Sequence, residues 1–374
     1  MENAKDLGRY DIAIIGAGVA GSNLASLLKS HLKVIVIDKK LESGDCFDRG
    51  FHKPCGGLLS EGGQKALAKQ GLNLPLKLLV NPQIFAINTI DFGYKHASYI
   101  QKGYINMERH RFDLWLKSLI PAYVKVYHNA HFKDLIRQED SYKLSFKQNG
   151  AFYTLNARIV VGADGAKSHI RNVLYPKLKI KSLVCIQQWY KEHNTPMLSC
   201  IFDKELTPSY SWSMSKDGYF IFGGAYPHRG AKVAYERQIE RLKSVGFTFE
   251  ERIKREECFV LQPSKWRDFP RGHSGVFLIG EAAGFINAST LEGISGALHS
   301  SRILSEVLNT HYRQDRDYQS LHKHYNRATR LLVLKTLFRH YVRYPFMFIT
   351  PLRRAILALG ILRVRKALSQ GKLV

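Results

Sequence analysis

The sequence predicts an α/β protein (α+β overall) built from a Rossmann-type dinucleotide-binding domain, a mixed-sheet substrate domain and a C-terminal helical tail. Three observations carry this expectation. An apolar run, Ile12–Ile15, meets Gly16-Ala17-Gly18-Val19-Ala20-Gly21, followed by a helix-period stretch to Leu28 and a second apolar run, Val34–Ile37. Two later strand signals also end in glycine turns: Arg158–Val161 in Gly162-Ala163-Asp164-Gly165, and Val276–Ile279 in Gly280-Glu281-Ala282-Ala283-Gly284. Between these two, residues 183–225 read as strands rich in Tyr, Trp and Phe, as in a sheet of a different domain.

The first stretch is a βαβ unit. Gly16 allows the tight turn, Gly18 lets the backbone approach a pyrophosphate, and Gly21 lets the helix pack close to the strand. The helix N-terminus offers N–H groups and a positive dipole to the phosphates. Asp38, with Lys39 beside it, stands where a carboxylate accepts hydrogen bonds from an adenosine ribose, so a dinucleotide with a free 2′-hydroxyl is expected.

The remaining elements follow in order. Residues 39–63 are an irregular segment dense in glycine and charge, centred on Lys53-Pro54-Cys55-Gly56-Gly57-Leu58, and a loop of that length is usually functional. Residues 61–72 read as a short helix, and Pro82–Phe92 and Ala97–Ile105 alternate as paired strands. Glu108–Leu119 has helix period with Arg109 near its start. Val124–Tyr127 and three short strands up to Leu155 follow. Lys216-Asp217-Gly218 is a hairpin turn, residues 231–245 are helical, and Cys258–Leu261 is a strand. The first domain is therefore expected to be discontinuous, over 1–80, 102–180 and 272–325. The substrate domain takes 81–101 and 181–271, and the tail 326–374.

Composition bounds the rest. The chain has 374 residues, 45% of them hydrophobic and 11% aromatic, which is a globular composition with room for two cores. A net charge of +25 points to polyanions or anionic surfaces as neighbours, or to a solubilising surface. Cys46, Cys55, Cys185, Cys200 and Cys258 are odd in number and scattered, unlike a disulfide framework or a zinc knuckle, and suit a reducing cytosol. Met1–Tyr10 lacks an apolar signal core, so secretion is not expected. No apolar run has the length of a bilayer span, and no metal site is expected.

Several residues carry chemistry. Glu281, delivered onto a bed of small residues, can accept hydrogen bonds from a polyhydroxyl linker such as ribityl. The helix that begins near Glu292-Gly293-Ile294 can hold negative charge developing on a flavin ring. FAD is thus favoured over NAD; the other reading of Glu281 is a helix cap. Cys55, between Pro54 and two glycines, lies where a thiol can sit beside a planar ring and donate a proton, or serve only as a small packing residue. A redox pair with Cys46 is a further option. Tyr210, Trp212, Tyr219, Phe220 and Phe222 form an aromatic band that is either sheet core or a slot for a long apolar substrate.

These motifs resemble those of the para-hydroxybenzoate hydroxylase-like flavoproteins, whose three flavin motifs match Gly16–Gly21, Gly162–Gly165 and Gly280–Gly284. Lys53–Gly57 and Tyr210-Ser211-Trp212-Ser213 further resemble the geranylgeranyl reductase branch. The resemblance implies an extended FAD with Arg109 near the pyrophosphate, Asp164 and Gly284 in the flavin motifs, and Gly293-Ile294 beside the isoalloxazine. It also implies that Cys55-Gly56-Gly57 faces the reactive side of the ring, with Cys55, Tyr210 and Trp212 as catalytic candidates. Two departures matter. Glu281 replaces the usual Asp of the third motif, and Met214-Ser215 replaces the usual Phe-Pro after the aromatic motif.

After Asp317 the chain has no acidic residue, while Arg327, Arg330, Lys335, Arg339, Arg343, Arg353, Arg354, Arg363, Arg365 and Lys366 are spread among apolar residues. Tyr344–Pro351 is a proline-bounded apolar patch, and Leu352–Leu368 reads as a basic amphipathic helix. Such a segment suits an anionic bilayer surface; docking on the chain's own domains is the competing reading, and no nucleic-acid fold accompanies the charge.

The resulting expectation is a cytoplasmic FAD oxidoreductase, peripheral on the inner membrane surface, reducing carbon–carbon double bonds of an isoprenoid or similar lipid. NAD(P)H or an electron-donor protein serves as transient reductant, since no second Gly-x-Gly-x-x-Gly unit is visible. The rivals are a flavin monooxygenase or halogenase that activates oxygen, and a flavin-binding membrane protein without turnover.

Overall fold

In a computed structural model, which describes residues 4–45, 47, 54–93, 96–191, 198–312 and 317–359, the chain opens with β1 (Lys5–Ile15), α1 (Val19–Leu27), β2 (Val34–Ile37), β3 (Leu58–Leu59) and α2 (Glu61–Ala68). It continues through β4 (Ile84–Asp91), β5 (His96–Asn106), α3 (Arg109–Ser118), β6 (Lys125–Tyr127), β7 (Ala130–Arg137), β8 (Tyr142–Gln148), β9 (Ala151–Gly162) and α4 (His169–Leu174). Next come β10 (Ser182–Lys191), β11 (Leu198–Phe202), β12 (Ser211–Lys216), β13 (Tyr219–Tyr226), α5 (Ala231–Lys243) and β14 (Arg252–Leu261). The last elements are β15 (Gly272–His273), β16 (Val276–Leu278), α6 (Ile294–His311), α7 (Tyr318–Phe348) and α8 (Thr350–Leu359). Lys53, Cys46, Arg363, Arg365 and Lys366 lie outside the described residues, as does the part of the expected basic helix over 360–368.

The chain divides into two units: residues 1–51, 110–181 and 261–338, and residues 52–109, 182–260 and 339–374. The division differs from the sequence expectation in three places, one being that residues 261–271, expected in the substrate domain, belong to the first unit. Residues 52–80 and 102–109 belong with the second sheet, because β3 pairs with β5 through Leu58↔Asn106 and Leu59↔Ile105. The tail is shared between the units, because α7 runs unbroken through Pro345 instead of starting a separate domain.

In the first unit the sheet order is β15-β16-β9-β1-β2-β6, with β7 and β8 attached through β9. β1 is parallel to both β2 and β9, and β16 is parallel to β9. Parallel strands covered on both faces are written as uninterrupted apolar runs, and Ile12, Ala13, Ile14, Ile35, Val36, Val160 and Val161 are all fully buried. Ile15 is in register with Ile37 and with Gly162, and Gly162 with Leu278, so all three glycine turns leave the sheet at one level. Two strands are longer than their hydropathy indicates. β1 begins at Lys5, where the polar segment pairs with Tyr153, and β9 joins the expected Leu155 and Arg158–Val161 strands into one of 12 residues. Along one edge β9 runs parallel to β1 from Tyr153 to Gly162, and along the other its first half pairs antiparallel with β8 and its end parallel with β16.

In the second unit the sheet order is β14-β10-β13-β12-β11-β4-β5-β3. One face carries Ile186, Tyr190, Ile201, Phe220, Phe222 and Tyr226 against Tyr235 and Leu242 of α5. The other carries Ile84, Trp189, Leu198, Met214 and Ile221, with Leu58, Tyr104, Trp212 and Tyr219 packed against them. The expected aromatic band is therefore split. Strand alternation sends Phe220 and Phe222 into the α5 core, where Phe222 stacks on Tyr235 at 5.1 Å between ring centres, and leaves Trp212 and Tyr219 on the opposite face. The Asp217-Gly218 turn takes the left-handed conformations, φ +46° and +83°, of a tight hairpin.

Candidate functional site: a nucleotide cradle and an aromatic sheet face

The cradle in the first unit is assembled from close approaches that only glycine permits. A Cβ on Gly16, whose φ is +100°, would lie 2.8 Å from the Ala163 carbonyl oxygen, and one on Gly21 would lie 1.8 Å from the Gly16 oxygen. Gly280, at φ +58°, would drive a Cβ to 2.8 Å from the Cβ of Ala20. The three glycine turns thus touch one another: Gly16 rests on Ala163-Asp164, and Gly280 rests on Ala20. Ser22 Oγ bonds to the Ala17 oxygen, and Asn23 Nδ2 bonds across to Ser301 Oγ of α6 at 2.8 Å. Gly296 of α6 has no room for a Cβ, which would meet the Phe285 oxygen at 2.1 Å, and Gly284 is similarly pressed on Asp268. Gly293 caps α6 directly before Ile294, and the first turn of that helix carries no acidic side chain.

Gly18 differs from these. It caps α1 and has nothing within 4 Å of a notional Cβ, so open space lies where the phosphates of a dinucleotide would approach the helix N-terminus. Asp38, buried at the end of β2, has Oδ2 within 2.7 Å of Lys117 Nζ as an ion pair, but that atom accepts no well-aligned hydrogen bond. A ribose hydroxyl supplies such a donor. The open space at Gly18 and this ion-paired carboxylate oxygen, with no well-aligned hydrogen-bond donor, fit the adenosine and pyrophosphate half of a dinucleotide. Lys117, on α3, was not singled out in the sequence.

The carboxylates of the second and third motifs are largely committed within the protein. Asp164 accepts from Ser168 Oγ and from the backbone N–H groups of His169 and Ile170, and so closes the start of α4. Desolvation raises its carboxyl above the ordinary range, partly offset by those bonds. Glu281 accepts from the Leu261 N–H at 3.0 Å through Oε1. Between the two motifs, buried Arg171 donates to the Ala282 and Ala166 carbonyl oxygens. Burial lowers its guanidinium pKa, while Asp164 and Glu281 act to raise it. Arg171 carries no motif of its own, and only the fold brings it between these two turns.

The second unit holds Cys55, Gly56, Gly57, Tyr210, Trp212 and Arg109, which opens α3 and is half-buried. On the sheet face opposite α5, the Trp212 ring lies over Gly223, where a Cβ would come within 2.7 Å of it, and its Nε1 donates to Gln187 Oε1 at 3.1 Å. Gln187 Nε2 and Trp189 Nε1 both donate to Glu256 Oε2, and Lys254 pairs with Glu256 at 2.8 Å. Tyr210 packs beside Trp212 with ring centres 5.9 Å apart, and Phe202 lies 6.3 Å from Tyr210. The Cys55 turn rests on this face, since a Cβ on Gly56 would be 2.7 Å from Met214 Cε. Cys55 is half-buried, and its Sγ accepts from the Gly57 N–H at 3.4 Å. The described cysteines, Cys55, Cys185, Cys200 and Cys258, are free thiols, and Cys46 lies outside the described residues.

Beneath the turn is a residue that sequence reading passed over. Lys216, expected in a hairpin turn, is buried at the end of β12. Its Nζ donates to Asn106 Oδ1 and to the Met107 oxygen, each at 2.6 Å. Burial lowers its pKa to about 8, against the opposing effects of Cys55, Glu108 and Asp217.

Comparison with known proteins adds three findings. No protein-family model matches the chain. Protein CbrA of Escherichia coli K12 is 46% identical over 356 residues, covering 95% of this chain and 98% of that protein, and CbrA of strain CFT073 is 46% identical with 95% and 94% covered. Among solved structures, a geranylgeranyl bacteriochlorophyll reductase-like protein from Thermoplasma acidophilum superposes with a TM-score of 0.73 at 20% identity, covering 89% of this chain and 87% of that one. The p-nitrophenol 4-monooxygenase PnpA of Pseudomonas putida gives 0.70 at 15% identity with 94% of each chain covered. The myxobacterial chondrochloren halogenase CndH, an FAD-dependent halogenase, gives 0.66 at 15% identity with 86% and 79% covered. At these identities the structural likeness establishes the fold.

Proposed function

The chain belongs to the CbrA family, and from that premise we propose that it is an FAD-dependent oxidoreductase that reduces carbon–carbon double bonds of an isoprenoid or other lipid-like substrate. The observation that carries the substrate class is the Trp212 face. It is an apolar, aromatic cluster in which Met214, Ile221 and Trp189 are buried and Trp212 is half-buried, with the Cys55 turn packed directly on it. An apolar wall of this kind recognises a long hydrocarbon by area and not by polar contacts. Its polar groups, Gln187 and Glu256, are already engaged with Trp212, Trp189 and Lys254. Support for the cofactor comes from the cradle and from the flavin enzymes that share the fold.

FAD, when bound, supplies the hydride for such a reduction. Gly16, Ala17, Gly18, Ala20 and Gly21 receive its pyrophosphate at the start of α1, and Asp38, with Lys39 beside it, holds the ribose. Gly280, Glu281 and Gly284 shape the third turn, and Gly293-Ile294 present the N–H groups of α6. Cys55 holds the proton that is transferred to the substrate carbon. NAD(P)H or a donor protein brings the electrons.

The test is an anaerobic turnover of the chemically reduced protein with polyprenyl alcohols and their phosphates, followed by mass spectrometry. A product that has gained hydrogen across a double bond supports the proposal. Oxygen uptake tightly coupled to substrate oxidation overturns it in favour of a monooxygenase or halogenase. A cellular phenotype that survives both Cys55→Ala and Tyr210→Phe overturns it in favour of a flavin-binding protein without turnover.

The proposal extends to where the protein works. In the second unit the tail is docked in part: Arg353, expected among the lipid-facing cations, is buried on Asp91, and Arg354 donates to the Gly93 oxygen. That leaves Tyr341, Phe346, Ile349 and Leu352 exposed, with Arg339 exposed beside them and no acidic residue after Asp317. Exposed apolar side chains on a segment with cations and no acidic residue of its own match an anionic lipid surface. Among the described residues no helix is long and apolar enough to cross a membrane. Sedimentation with phosphatidylglycerol vesicles and not with phosphatidylcholine vesicles is expected. Equal binding to both, or to neither, overturns this placement.

A further inference from the structure

Lys216 is a buried cation with no anionic partner among the described residues. Its Nζ is held by two neutral oxygens, Asn106 Oδ1 and the Met107 carbonyl, and no described carboxylate lies within ion-pair distance of it. Such an arrangement is costly, and it is reinforced from the other side. Gly57, at φ +63°, sits so close that a Cβ would lie 2.7 Å from Lys216 Nζ and 2.3 Å from the Met107 oxygen. The Gly57 oxygen accepts from the Met107 N–H at 2.9 Å, and the Gly57 N–H points to Cys55 Sγ. Gly57 therefore separates the amine from the thiol by a single residue with no side chain. Three ionisable groups bear on the amine: Cys55 on the turn, Glu108 after β5 and Asp217 in the hairpin.

We propose that Lys216 is the positioning and proton-relay partner of Cys55. The inference rests on the proton-donor role given to Cys55 above. When Cys55 protonates the substrate carbon, its S–H bond breaks, the C–H bond forms and a thiolate remains. The Lys216 ammonium, held in place by Asn106 and Met107, stabilises that thiolate and then returns a proton: one N–H bond breaks, S–H re-forms, and the amine is recharged from solvent. A lysine whose ammonium is pulled down to about 8 is suited to both halves of that exchange near neutral pH.

The experiment is site-resolved alkylation of Cys55 by iodoacetamide on the full-length protein, read by peptide mass spectrometry between about pH 6 and pH 10, with melting temperatures recorded in parallel. It needs neither substrate nor turnover, so its outcome is separate from that of the reductase assay. In the wild type the profile is expected to bend near the Lys216 midpoint. Lys216→Met removes the bend and slows alkylation near neutral pH roughly tenfold. Lys216→Arg, a permanent cation, removes the bend without the slowing. Asn106→Asp, which places a carboxylate beside the amine, moves the bend to higher pH. Superimposable profiles for the wild type and the folded variants overturn the proposal. If Lys216→Met does not fold, the Arg and Asn106→Asp profiles decide it alone.

Discussion

Arg353 of α8 closes on Asp91 of β4: its Nε donates to Asp91 Oδ2 at 2.8 Å, its Nη2 lies 2.6 Å from the same oxygen, and its guanidinium stands 4.4 Å from the centre of the Phe202 ring. Both side chains are buried, so the pair has exchanged water for each other and for Gly93, whose N–H donates to Asp91 Oδ1. Removing one partner leaves a buried charge uncompensated, which costs about 3–5 kcal/mol. Asp91→Asn and Arg353→Met are each expected to destabilise by that order in urea unfolding, and the double change Asp91→Leu/Arg353→Met to recover much of the loss.

The glycines of the first turn separate fold from binding. Gly21→Ala must displace the Gly16 carbonyl, since its methyl would lie 1.8 Å from that oxygen, and a markedly less stable or insoluble protein is expected. Gly18→Ala meets nothing within 4 Å, and its φ of −74° suits any residue. Its melting temperature without cofactor is expected to stay near that of the wild type, while the methyl occupies the space a pyrophosphate needs. FAD affinity, followed by flavin fluorescence, is expected to drop by roughly tenfold or more, or about 1.4 kcal/mol.

His322 makes stability depend on acid. Its ring stacks on Phe277 at 4.0 Å, Nε2 accepts the Gly275 N–H at 3.1 Å, and burial together with His273 lowers its pKa from the usual 6.5 to about 4. Between these two values the unfolded chain takes up a proton that the folded protein refuses. Stability is therefore full above about pH 6.5 and declines as pH falls toward 4, with roughly 3 kcal/mol at stake. Urea midpoints measured through that window are expected to fall, and His322→Gln, which keeps an acceptor for Gly275 but does not titrate, is expected to flatten the slope.

The nucleotide half of the fold is legible in the sequence because parallel strands buried on both faces leave unbroken apolar runs. Ile12–Ile15, Val160–Val161 and Val276–Leu278 each carry that signal into a glycine turn. What is not legible depends on pairing. Lys5–Tyr10 is polar yet forms half of β1, because β9 supplies its partner. The side taken by Phe220 against Tyr219 turns on a register of one residue, and only the β12–β13 hairpin fixes it. Lys216 stands in a hairpin turn of the sequence and Arg353 among the cations of a basic tail; their burial comes from Gly57, Asn106 and Asp91, which are distant in sequence. Cys55 was found from its neighbours Pro54 and Gly56, but the lysine beneath it needed the fold.

The Trp212–Gly223 contact offers the sharpest test of the apolar face. Gly223 on β13 is directly opposite Trp212, and the indole occupies the volume a side chain would fill, with Cε2 2.7 Å from a notional Cβ. Gly223→Ala must lift the ring, and in doing so it pulls Nε1 off Gln187 Oε1 and disturbs the link from Gln187 to Glu256. The strand hydrogen bonds and the α5 face are untouched, so the circular dichroism spectrum is expected to be preserved and the unfolding free energy to fall by no more than about 1–2 kcal/mol, the scale of one lost hydrogen bond with some overpacking. Tryptophan emission is expected to move to the red. If the face is where hydrocarbon lies, KM for a polyprenyl substrate rises while kcat for a short, water-soluble alkene changes little. A parallel loss on both substrates would mean that the ring serves the chemistry and not the recognition of chain length.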